Sequence, residues 1–217
     1  MTRTLLLQAA LALTLAAGSA FPAPPATREE ALTALENPVT ERRAEAVVWV
    51  ANHGRMDDTA LLLKRLQHDD SPFVRGYAER GLWLLWSRSG NGDIDRVMAR
   101  GMEQMEAGQL AEATATFSEV IRRMPAFAEG WNKRATVHYL AGEYRKSLAD
   151  CDEVLKRNPQ HFGALSGYGQ IYFRLEDYEK AIAWWRRALE VNPNMVGVEI
   201  NIKGAEQMLK DKRRRST

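Results

Sequence analysis

Pro125, Pro159 and Pro193 stand thirty-four residues apart. A fixed period of this size constrains the fold more than any composition can. Each copy must be the same supersecondary unit, and a unit of two helices hides its apolar face only by stacking on its neighbours. Aligning three copies on the prolines produces columns of matched residues. Val97, Trp131 and Leu165 open the first helices, and Gly101, Ala135 and Gly169 follow four residues later, where a side chain would block close helix approach. Leu110, Tyr144 and Tyr178 lead into the second helices, followed by Ala113, Ser147 and Ala181. Phe117, Cys151 and Trp185 form a buried column, with Val120, Val154 and Ala188 one turn on; proline then closes each unit.

These columns resemble the tetratricopeptide repeat over residues 94–195, as three units (94–127, 128–161, 162–195). The resemblance implies paired helices wound into a right-handed α-α superhelix. The first helix of each pair lines a concave face that binds a protein or peptide. Residues 196–211 read as a helix capping the last apolar face, and 212–217 as a basic tail. Lys210, Lys212, Arg213, Arg214 and Arg215 crowd that end, either as a frayed, solvated tail or as a patch for nucleic acid or lipid.

Ahead of the array, helical spacing predicts helices over 28–36, 40–52, 57–67 and 71–86. Thr40 and Ser71 read as N-caps and Gly54 as a stop. Arg43 with Ala46 is matched by Arg75 with Ala78, and the run Asp70-Ser71-Pro72-Phe73-Val74-Arg75 followed by Ala78 and Leu82 resembles a HEAT repeat. Residues 28–86 are therefore expected as HEAT-like helix pairs, 87–93 as a brief linker, and the whole as one continuous all-α solenoid.

Residues 1–20 carry a secretory pattern: Arg3, an apolar stretch from Leu5 to Ala17, then Gly18, Ser19 and Ala20 before the Pro-rich joint at 21–27. That stretch is shorter than the ~20 apolar residues a bilayer span needs. Cleavage after Ala20 and an exported, periplasmic protein without stable membrane insertion are the expectations. The net charge of +2, from 30 basic and 28 acidic residues, supplies no global field for nucleic acid. The single cysteine, Cys151, has no internal disulfide partner; it is either a core residue or a reactive thiol, depending on exposure.

Reactive constellations are missing from the sequence. His53, His68, His138 and His161 are scattered, with no His-Glu-x-x-His, Cys-x-x-Cys, Gly-x-Ser-x-Gly or phosphate-cradling pattern, so neither an enzyme nor a metal or cofactor is expected. The groove is the candidate site. Projected through the repeat, it holds Met98, Met102 and Met105 from the first unit, Asn132, Lys133, Thr136 and Tyr139 from the second, and Ser166, Gln170 and Phe173 from the third. Asn132, Thr136, Ser166 and Gln170 supply donors and acceptors suited to a peptide main chain, and Gly163 and Gly167 leave room for one. The methionines form either an adaptable apolar wall for a ligand or a face that docks on the HEAT-like half. Relatives that clamp a C-terminal carboxylate place lysines, asparagines and an arginine where Met98, Met102, Lys133, Gly163 and Gly167 stand, which argues against that subtype. Arg100 and Arg134 occupy a column usually apolar; they read either as structural ion pairs with Glu119, Asp150 or Asp152, or as arginines reaching the groove.

Overall fold

A computed structural model describes residues 23–215, so the secretory pattern over residues 1–20 lies outside the described residues. Within them the chain forms eleven α-helices and no strand. The first four are α1 (Arg28–Ala34), α2 (Thr40–His53), α3 (Thr59–His68) and α4 (Pro72–Ser87), with a single 3-10 turn at Met56–Asp58 before α3. Starts follow local chemistry. The Thr27 hydroxyl accepts the Glu30 N–H at 3.2 Å to open α1, and Pro72, which has no N–H to strand, opens α4. Thr40 is the first residue of α2 with Val39 in the cap position, and Ser71 occupies the cap of α4 without a side-chain hydrogen bond.

The repeats follow as α5 (Gly92–Glu106) with α6 (Leu110–Arg123), α7 (Ala128–Leu140) with α8 (Tyr144–Arg157), and α9 (Phe162–Arg174) with α10 (Tyr178–Val191). Each helix pair packs on the next, giving the right-handed superhelix. The small-residue column has a direct steric cause. A Cβ at Gly101 would lie 2.6 Å from the Phe117 ring, and one at Gly169 would lie 2.3 Å from Trp185. In the middle unit Ala135 meets the smaller Cys151. Bulk in the second helix is thus matched by its absence in the first, unit by unit. The final helix, α11 (Val196–Arg215), runs through most of the segment expected as a frayed tail. Val198, Ile202 and Ala205 bury against α10, and the Lys212 ammonium donates to the Glu176 carbonyl at 3.2 Å.

The arrangement departs from a continuous solenoid at its front end. The N-terminal helices turn back along the edge that carries the proline turns, instead of extending the stack beyond α5. Trp83 and Trp86 of α4 pack on His161 and Phe162, and Val191 and Met195 join the same apolar cluster. Polar contacts follow the same edge: Gln67 donates to the Glu190 carbonyl at 3.5 Å, and Arg75 and Glu79 both meet Asn194. The reason is burial: two tryptophans on one face of α4 find an apolar edge there. No helix among the described residues is long and apolar enough to cross a membrane.

Candidate binding groove

The groove is built from the first helices of the second and third units. Its first chamber, of ≈ 280 Å³, is lined by Asn132, Lys133, Thr136 and Tyr139 of α7, by Gly163, Gly167 and Gln170 of α9, and by Trp83 of α4. A second chamber of ≈ 460 Å³ continues from Tyr139 and Gln170 to Phe173, Arg174, Trp185, Ile200, Asn201 and Gly204. Tyr139 stands between the two; its hydroxyl accepts from Arg174 Nε at 3.1 Å.

Beneath the first chamber lies a buried polar network. Glu129 is 1% exposed and its Oε2 accepts from Asn132 Nδ2 at 3.0 Å. His161, fully buried, caps α9: its Nδ1 accepts the Ala164 N–H at 3.1 Å, so the ring proton belongs on Nε2, 3.1 Å from Glu129 Oε2. Lys133 Nζ lies 3.1 Å from the other carboxylate oxygen, an ion pair without hydrogen-bond alignment. Burial acts to raise the Glu129 pKa, but the His161 hydrogen bond and the Lys133 charge outweigh it and hold the carboxyl below its usual value. The network therefore orients Asn132 and neutralises Lys133. What it leaves in the first chamber is amide and hydroxyl chemistry with little net charge; the second carries the Arg174 guanidinium.

Of the ten residues projected onto the groove, Asn132, Lys133, Thr136, Tyr139 and Gln170 line the first chamber, and Phe173 lines the second with Tyr139 and Gln170. Ser166 is buried, and its carbonyl accepts Trp185 Nε1 at 3.2 Å. Met98 requires correction: at 5% exposure it packs with Val97, Phe117 and Phe127 in the core of the first unit. Met105 leans on that cluster and Met102 is 37% exposed, and none of the three lines either chamber. Nor do they dock on the N-terminal helices, which lie at the far edge against α9 and α10. Gly163 leaves room as projected, but for a different neighbour: a Cβ there would come within 2.4 Å of the Trp83 indole.

Several lining residues escaped the sequence projection, among them Arg174, Trp185 and Asn201 of the second chamber. Ile200 and Gly204 stand one period beyond Ser166 and Gln170, so extending the columns by thirty-four residues finds them. Trp83 lies outside the period and carries no such signal. Arg100 and Arg134 are structural: Arg100 pairs with Glu119 at 3.0 Å, and Arg134 grips Asp150 with two hydrogen bonds of 2.8 and 2.7 Å. Cys151 is a core residue. Burial first, then the neighbouring Asp150 and Asp152, push its pKa up to about 12, so the thiol stays protonated near neutral pH. Among the described residues no group of three or more His, Cys, Asp or Glu is placed to hold a metal ion.

The tetratricopeptide-repeat family model matches residues 98–154 and 141–195. Residues 98–195 are tetratricopeptide repeats. Solved structures agree at the level of fold. The first tetratricopeptide domain of Spaghetti (RPAP3), bound to an HSP90 peptide, is 20% identical with a TM-score of 0.52, covering 54% of this chain and 93% of that one. The TPR2B domain of yeast Sti1, in a pHsp70 complex, is 20% identical with a TM-score of 0.51, covering 54% and 98%. MamA protein is 15% identical with a TM-score of 0.51, covering 71% and 85%. No curated protein matches the chain.

Proposed function

We propose that this protein is an exported, periplasmic scaffold that holds a partner protein by an extended segment laid in the concave tetratricopeptide groove. The supporting observation is the groove floor, where Asn132 is oriented by a buried carboxylate while the amide of Gln170 is exposed and unpaired among the described residues. An amide offers a donor and an acceptor together, as an extended main chain requires. The RPAP3 domain bound to an HSP90 peptide and the Sti1 domain in its pHsp70 complex share this fold. With Lys133 already paired to Glu129, the first chamber suits a segment of little charge, not a clamped carboxylate. Export rests on the secretory pattern over residues 1–20.

A second reading makes the chain a structural subunit of an envelope complex, held by its convex or terminal faces. Val196 and Met208, 63% and 45% exposed on α11 and outside both chambers, favour it. Partners recovered from an envelope extract by wild type and by the Asn132→Ala, Gln170→Ala double variant separate the two. Loss of the partner at unchanged helical content is expected; full retention moves the contact to the terminal faces. Fractionation and the mass of the mature N-terminus test export, and a chain retaining residues 1–20 in the cytoplasm would overturn it.

A further inference from the structure

We infer that the groove is a composite site, in which Trp83 from the N-terminal helices is a ligand-contacting residue that sets specificity. This rests on the reading of the groove as a peptide site. Trp83 is half-buried and lines the first chamber together with Asn132 and Gln170. The third unit accommodates it by carrying glycine at 163, where any side chain would collide with the indole.

Docking of the N-terminal helices uses one edge of Trp83, against His161 and Phe162, and leaves the rest of the indole at the chamber. Trp86 is the wholly enclosed member of the joint: it is 2% exposed, lines neither chamber, and stacks on His161 with ring centroids 4.6 Å apart. Trp83 meets the same cluster edge-on, and its Nε1 has no hydrogen-bond partner among the described residues. Trp86 is enclosed with its own Nε1 buried and unpaired, whereas Trp83 keeps a partly exposed ring and its donor at the chamber wall.

The chemistry of the wall names the occupant. Lys133 is the one charged side chain lining this chamber, and Glu129 already neutralises it, so charge complementarity calls for an uncharged segment. The occupant is an extended peptide with a large apolar side chain against the indole and its main chain on the two amides. Because it touches both halves of the molecule, its binding and the docking of the N-terminal helices reinforce one another reciprocally.

Peptides enriched from a random phage-displayed library on the full-length protein provide the probe, and one such peptide is then titrated into wild type and variants. Affinity is expected to fall about tenfold in Trp83→Ala and about threefold in Trp83→Phe, and to stay near wild type in Trp86→Phe. With 5-fluorotryptophan labelling, the fluorine resonance missing from Trp83→Phe identifies Trp83, and it shifts when the peptide is added to wild type. Undiminished affinity in Trp83→Ala, an unmoved Trp83 resonance, or equal loss in Trp83→Phe and Trp86→Phe overturns the composite site. If Asn132→Ala, Gln170→Ala abolishes binding in those cases, the groove reading survives alone. A library without binders, or peptides indifferent to that double variant, overturns both.

Discussion

At the scale of single residues the period governs backbone conformation as well as packing. Gly108 and Gly142 turn the chain between the helices of the first two units at φ of 73° and 74°. One period on stands Glu176, held in the same left-handed region at φ 57°. A side chain there crowds the backbone, whereas glycine does not. Glu176→Gly is expected to stabilise the protein by about 1 kcal/mol, after allowance for the greater freedom of glycine in the unfolded chain. A higher urea midpoint at unchanged slope is the measurement, and a lower one would show that the strain is absorbed elsewhere.

At the scale of elements the N-terminal helix pairs are tied by an arginine from each second helix. Arg43 of α2 reaches Asp69 through Nε and a second nitrogen at 2.8 and 2.9 Å, while Arg75 of α4 donates to the Asp69 carbonyl at 2.8 Å. Burial acts to raise the Asp69 pKa, but the hydrogen bonds from Arg43 and the Ser71 N–H, with the Arg43 charge, hold it below the ordinary value. A carboxyl whose folded pKa is depressed stabilises the fold fully above its unfolded value, near 4. That contribution drains as pH falls through the folded value. Asp69→Asn should therefore cost about 3 kcal/mol at neutral pH and flatten the decline in stability below about pH 4. Urea unfolding of both proteins from neutral to acid pH gives the comparison; parallel curves would remove Asp69 from the account.

At the scale of the whole molecule the question is what joins the two halves, since only a short segment links α4 to α5. The joint is the cluster of Trp83, Trp86, His161 and Phe162, with Val191 and Met195 at its margin. Trp86, 2% exposed, is the largest of its fully enclosed side chains. Trp86→Ala is expected to cost about 4 kcal/mol and to split one calorimetric transition into two, as the repeats and the N-terminal helices unfold separately. A single transition at lower temperature would mean that the halves remain one cooperative unit without it.

Much of this protein was legible in the chain itself. Spacing alone determined three repeats, the columns that bury, the glycine opposite each large ring, and the positions of Asn132, Thr136, Tyr139, Gln170 and Phe173 on one wall, because a stacked unit repeats its neighbours' contacts at fixed offsets. Local rules likewise placed the four N-terminal helices within a few residues. Tertiary structure decided what has no period. It also decided what the period left open: Met98 turned into the core because the apolar side of α5 meets Phe117, and the N-terminal helices folded back because Trp83 and Trp86 bury there apolar surface that would otherwise face water. Gly163 shows the limit in one residue: the sequence announces a space, and only the packing of a helix from eighty residues away tells what fills it.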